Sequence, residues 1–187
     1  MEGCGIIKLL LVVVISYCIG SISGAYYITK WMIGKDIRHL GSGNAGARNA
    51  GSQIGKKGFI YTLLIDSVKV FVALYVTSAL FPESEMLLLV SSFCLLAGHI
   101  WPIQLSFKGG KGVVVFLAST LCLAPIAIVI LSISMGIMYL LIRNFTIAGL
   151  FSMATIPITA YIMGDFRVAA GLFILLGIVI SLHIGRK

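Results

Sequence analysis

The stretch "GVVVFLASTLCLAPIAIVILSISMGIMYLLI", Gly112 to Ile142, runs for 31 residues without a charge. As one straight helix it would reach about 45 Å, against a hydrocarbon core of about 30 Å. As two full spans it is slightly short. Pro125, in "CLAPIAIV", removes a helical N–H and crowds the preceding turn. The stretch therefore reads as two short helices broken near the proline.

The rest of the chain has the same character. Over 187 residues it is 59% hydrophobic and 11% charged, with mean hydropathy +1.09. A soluble domain is nearer a quarter charged, and so few ionised groups cannot cover a water-facing exterior. The composition predicts an all-α integral membrane protein, one multi-spanning domain over residues 1–187. The other predicted spans are Gly5–Trp31, Gly58–Leu80, Met86–Ile103, Ile147–Met163 and Val168–Ile184, about seven in all. "LLLVVVISYCIG" after Lys8 resembles a signal peptide, but its apolar run continues to Trp31 without a small-x-small cleavage site, so it reads as the first span. Cys4, Cys18, Cys94 and Cys122 lie singly in apolar runs, as small buried hydrophobes do.

The net charge of +8 does not indicate nucleic acid, because it resides in short islands between apolar runs. With seven spans, one face collects Lys30, Lys35, Arg38, Arg48, Lys56, Lys57, Lys108, Lys111, Arg143, Arg186 and Lys187. The other keeps only Lys8 and Arg167 among cations, with Glu2, Glu83, Glu85 and Asp165. Positive charge marks the cytoplasmic side, so the N-terminus is expected outside and the C-terminus inside.

Two islands on that inner face carry chemistry. "RHLGSGNAGARNAGSQIGKK", Arg38 to Lys57, contains Gly41, Gly43 and Gly46, which free the backbone. Ser42, Asn44 and Asn49 offer neutral hydrogen bonds, and Arg48 offers a planar fork for phosphate oxygens. "GHIWPIQLSFKGGKGVV", Gly98 to Val114, places Lys108, Gly109, Gly110, Lys111 and Gly112 before a helix expected to begin near Gly112. Glycine N–H groups and a helix N-terminus both attract anions. The spacing is not that of a nucleotide P-loop. Each island alone is compatible with a solvated loop, but two on one face suggest a site for two anionic groups. His39 reads as a solvated loop residue, and His183 ends the last helix on the same face. His99 ends the third span beside KGGKG, suiting a substrate role or a helix-end hydrogen bond. Asp66 and Lys69, at i and i+3 inside the second span, either pair with each other or reach substrate. No HxxxxD, GxSxG or HExxH motif occurs, and no metal or cofactor is expected.

"SYCIGSISGAYYITK", "DIRHLGSGNAGARN" followed by "GKKG", and "GHIWPIQLSFKGGKG" together resemble the bacterial acyl-phosphate-dependent glycerol-3-phosphate acyltransferases, the PlsY family. The resemblance runs in order to about residue 120. It implies a seven-helix enzyme of the bacterial inner membrane with a cytoplasmic site. Such an enzyme moves a fatty acyl group from acyl phosphate to the 1-hydroxyl of glycerol 3-phosphate, giving lysophosphatidic acid and phosphate. An acyl phosphate is already activated, so no covalent nucleophile is needed, and positioning and charge stabilisation carry the effect. His99, Lys111 and Ser42 are the candidate catalytic residues. The family's GSGNxGATNxxR is altered here, with Arg48 at the threonine and Ser52 at the arginine. Of its HxxNxxRLxxGxE ending only His183 has a match. The rival readings are a transporter or flippase for a phosphorylated or lipidic solute, and a catalytically weak regulatory homologue.

Overall fold

The computed structural model describes residues 2–82 and 84–185, with side chains from residue 5 onward. Glu83, Arg186 and Lys187, and the side chains of Glu2 and Cys4, lie outside the described residues. Those described are helical with connecting loops and short 3-10 turns, and they fall into two compact units, Met1–Val115 and Phe116–Lys187.

In the first unit, the expected opening span is two helices, α1 (Glu2–Gly20) and α2 (Gly24–Ile33). Ser23 caps α2 by accepting from the N–H of Tyr26, and Gly34 ends it with a left-handed φ of 69°. A 3-10 turn, Ile37–His39, follows, with Asp36 as its cap. Helix α3 (Ala47–Leu80) begins well before the expected Gly58. It is kinked at Ile54 and Gly55, where φ is 78° at the glycine, so Ala47–Gln53 is a separate approach helix. Helix α4 (Glu85–Ile100) and a 3-10 turn at Ile103–Leu105 lead into the KGGKG loop. Helices α1 and α4 lie close because Gly20 faces the backbone of Leu95 and Gly98 faces that of Tyr17, Gly20 and Ser21. Ser16 and Ser91 bond across them at 2.8 Å, the packing of small and polar residues that lipid favours.

Gly112–Ile142 is indeed two helices, α5 (Val113–Leu123) and α6 (Pro125–Ile142). Ala124 leaves helical geometry and Pro125 takes the first helical position, where its missing N–H has no partner to lose. In the second unit the fifth predicted apolar run is broken at Ala154 into α7 (Phe145–Met153) and α8 (Thr155–Ile162). Helix α9 (Phe166–Gly185) closes the chain's described part. Among the described residues, six helical segments are long and apolar enough to cross a membrane, and α5, at 11 residues, is a shorter apolar helix.

The cysteines correct one expectation. Cys18 and Cys122 are exposed and Cys94 is half-buried, all as free thiols. An apolar helix face turned toward lipid satisfies a small hydrophobe without burial in protein.

Candidate active site

The first island folds around one side chain, Asn49, near the start of α3. Its Nδ2 donates to the carbonyls of Leu40 at 2.9 Å and Asn44 at 3.0 Å, and more weakly to Ile37 at 3.4 Å. Its Oδ1 accepts from the N–H of Ser42 at 3.2 Å. The buried amide is therefore committed to shaping the loop, and the expectation that Asn49 binds phosphate directly is corrected to a structural role. Gly41 and Gly43 supply the left-handed φ values, 54° and 71°, that the tight course requires. Ser42 and Arg48 remain exposed at the surface of this loop, while the Oδ1 of Asn44 is buried without a hydrogen-bond partner.

The second island is shaped by the end of α4. The N–H groups of Gly109 and Gly110 donate to the carbonyls of Ile100 and His99, each at 3.0 Å. Both were expected to point at an anion. They instead satisfy the last carbonyls of α4, which a helix end leaves open. Ser106 and Phe107 hold left-handed φ values of 53° and 60°, strain of the kind that gathers at functional loops. Lys108 is exposed and Lys111 half-buried, just ahead of the N-terminus of α5.

The two islands meet. A Cβ on Gly110 would press on the carbonyl of Ala45 in the first island, and on the ring of His99. Arg38, counted in the sequence only as a cation, is the strap between them. Its guanidinium is bidentate to Asp36, with contacts of 2.6–3.0 Å, and also donates to the carbonyl of Leu105 at 2.6 Å. It lies over the Tyr26 ring at 5.6 Å. The hydrogen bonds from Arg38 hold the Asp36 carboxyl below its ordinary range and raise the guanidinium in turn. The one available signal was the D-x-R spacing after a helix-ending glycine.

Asp66, Lys69 and His99 come together beneath the loops. Lys69 Nζ lies 3.0 Å from Asp66 Oδ1, 2.9 Å from His99 Nδ1, and 3.0 and 2.6 Å from the carbonyls of Gly20 and Ile22. Asp66 Oδ1 accepts from the N–H of Gly24 at 3.2 Å, and Gln104 donates to the carbonyl of Ser21. Every carbonyl at the α1–α2 break thus has a side-chain partner, as irregular backbone at membrane depth demands. Gln104, and Tyr17 bonding the Trp101 carbonyl at 2.7 Å, were missed in the sequence, since each partner is more than 80 residues away.

Among the described residues, the two other histidines make no hydrogen bond or ion pair with these groups. His39 is exposed. His183 bonds through Nδ1 to the Val179 carbonyl of its own helix at 2.9 Å. An open depression lined by Trp31, Met32, Lys57 and Tyr61 contains none of the candidate site residues.

A family model for glycerol-3-phosphate acyltransferase matches residues 10–186, well past the point where the recognisable motifs end. Glycerol-3-phosphate acyltransferase 1 of Bacillus thuringiensis subsp. konkukian is 35% identical over 177 residues, covering 95% of this chain and 96% of that one. The enzyme of the same name from Desulfitobacterium hafniense is 37% identical, covering 90% and 83%. The crystal structure of PlsY (YgiH), an integral membrane glycerol 3-phosphate acyltransferase, in its glycerol 3-phosphate form, matches with a TM-score of 0.82 at 25% identity. That match covers 96% of this chain and 94% of that chain. On its sequence across nearly its whole length, this multi-pass membrane chain belongs to the glycerol-3-phosphate acyltransferase family.

Proposed function

We propose that this protein transfers a fatty acyl group from acyl phosphate to the 1-hydroxyl of glycerol 3-phosphate at the cytoplasmic face of a bacterial inner membrane. The observation that carries the reading is the junction of two glycine-rich islands at Ala45 and Gly110, strapped by Arg38 to the Leu105 carbonyl. Arg48 and Lys111 belong to these islands, and α5 begins at their edge. Cations and a helix N-terminus suit the two phosphates that such a reaction brings together.

In the step proposed, the acceptor hydroxyl oxygen attacks the acyl carbonyl carbon. A new ester C–O bond forms and the C–O bond to the leaving phosphate breaks. The hydroxyl proton goes to a phosphate oxygen, so no protein nucleophile or external base is consumed. Lys111 and Ser42 are assigned to stabilising the charge that gathers on the carbonyl oxygen and the departing phosphate. The transporter alternative depended on Asp66 and Lys69 as a polar path through the bilayer. Both are instead engaged with each other and with the α1–α2 break.

The test is phosphate release from palmitoyl phosphate by detergent-purified protein, with and without glycerol 3-phosphate. Acceptor-dependent release supports the proposal. Release that ignores the acceptor, or no release at all, refutes it.

A further inference from the structure

Asp66, Lys69 and His99 are 1%, 5% and 4% exposed. Among the described residues, two of their polar atoms have no hydrogen-bond partner, Asp66 Oδ2 and one ring nitrogen of His99. All the hydrogen bonds of the His99 ring among the described residues run through Nδ1, which lies 2.9 Å from Lys69 Nζ. That Nζ is also surrounded by the Asp66 carboxylate and two backbone carbonyls, at 2.6–3.0 Å. A carboxylate and two carbonyls call for an ammonium, whose three N–H groups reach the two carbonyls and Nδ1 while Asp66 balances its charge at 3.0 Å, and which has no lone pair to accept with. Nδ1 must therefore accept, and a neutral imidazole that accepts at Nδ1 keeps its proton on Nε2.

A histidine acting as base through Nε2 has the reverse arrangement, with Nδ1–H donated to a carboxylate. Among the described residues, the carboxylate that comes within 4 Å of this ring, that of Asp66, has Oδ1 at 3.8 Å from Nδ1, beyond hydrogen-bond reach. Nε2 itself lies against Gly110, where an added Cβ would collide with it. The free N–H is thus turned toward the loop that carries Lys111 and leads to the start of α5.

We infer that Lys69, held by Asp66, locks His99 as an Nε2–H donor that binds a phosphate oxygen of a substrate at the Gly110–Gly112 loop. The inference rests on the acyltransferase reading for the identity of the phosphate. His99 is then a binding donor, and Lys69 and Asp66 are positioning residues. The ring cannot take the proton of the attacking hydroxyl while Nε2 already holds one. This leaves that proton to the phosphate.

Two measurements test it. Nitrogen NMR on ¹⁵N-histidine-labelled full-length protein in detergent, assigned by loss of one signal set in His99→Phe, reads the tautomer. A pyrrole-type Nε2 and pyridine-type Nδ1 are expected, and Lys69→Met should replace that pure state by a tautomer mixture. A pyrrole-type Nδ1, or a doubly protonated ring, overturns the inference whatever the activity. Kinetics supply the second arm. His99→Gln keeps an N–H donor without a base, whereas His99→Phe keeps volume without a donor. Gln should hold kcat/KM within about tenfold of wild type. Phe should raise one Michaelis constant about 10- to 150-fold, the loss of a hydrogen bond to a charged group. The substrate whose constant rises, glycerol 3-phosphate or palmitoyl phosphate, is the one His99 holds. Equal losses in Gln and Phe, or no rise in either constant, overturn the donor role. A wild type without acceptor-dependent release defeats the acyltransferase reading instead, and the NMR arm still decides the tautomer.

Discussion

Single residues separate into those that shape the loops from within and those that carry charge at the loop surface. Asn49 is the clearest of the first kind: Asn49→Ala removes the side-chain donor to the Asn44 carbonyl and the acceptor of the Ser42 N–H, while the Leu40 carbonyl keeps the Gly43 N–H. The loss of stability should be about 1–3 kcal/mol, read as a lower melting temperature in detergent. Arg48 is of the second kind. It and Ser52 share a face of the approach helix, one turn of about 5.4 Å apart, and an arginine side chain spans that distance. Arg48→Ala should raise the Michaelis constant of one phosphorylated substrate by about 10- to 150-fold. Arg48→Thr with Ser52→Arg should recover most activity, whereas Arg48→Thr alone should not. Wild-type kinetics in Arg48→Ala would reduce that cation to a topological signal. Gly110→Val should nearly abolish turnover while expression persists, because its Cβ strikes His99 and the Ala45 carbonyl. The glycines, basic side chains and His99 were legible in the sequence as two loops with a common character, and the contact of Gly110 with Ala45 and His99 brings those loops together. The internal commitments of Asn49, Gly109 and Gly110 were not legible, since a string of residues does not say whether a donor faces a ligand or its own backbone.

Between elements, close approach and charge do different work. Helices α1 and α4 touch through Gly98, where a Cβ would meet the backbone of Tyr17 and Ser21. Gly98→Leu should force them apart and destabilise the fold by about 1–3 kcal/mol or more, measured by thermal unfolding. The strap from Arg38 to Leu105 responds to acid. The folded-state value of Asp36 lies below its ordinary 3.8. Its contribution is therefore complete above that value and disappears as pH falls through the lower folded one. Melting temperature should stay level from neutral pH to about 5 with respect to this pair, then drop on further acidification. Asp36→Asn should lower the neutral-pH value and flatten the acid limb. An unchanged acid limb in that variant would remove the strap from the account.

At the scale of the whole chain, the order of apolar runs and the break at Pro125 were legible because each is a local signal. The α1–α2 break was not. "SYCIGSISGAYY" reads as uninterrupted apolar chain, and the partners that make its interruption tolerable stand 47 and 83 residues further on, at Lys69 and Gln104. Orientation is open to direct measurement. In a background lacking all four cysteines, Ser52→Cys should label from the cytoplasmic side and Glu85→Cys from the outer side. Labelling of both from one side would dismantle the seven-span arrangement. At the α1–α2 break, the carbonyls of Gly20, Ser21 and Ile22 are held by Lys69 and Gln104, which both come later in the chain. Within hydrocarbon, and before those side chains are in place, an unbroken Gly5–Ile33 helix would satisfy the same carbonyls; at about 43 Å it would have to tilt. The bend in the first membrane segment is thus a property of the assembled helices and not of that segment alone.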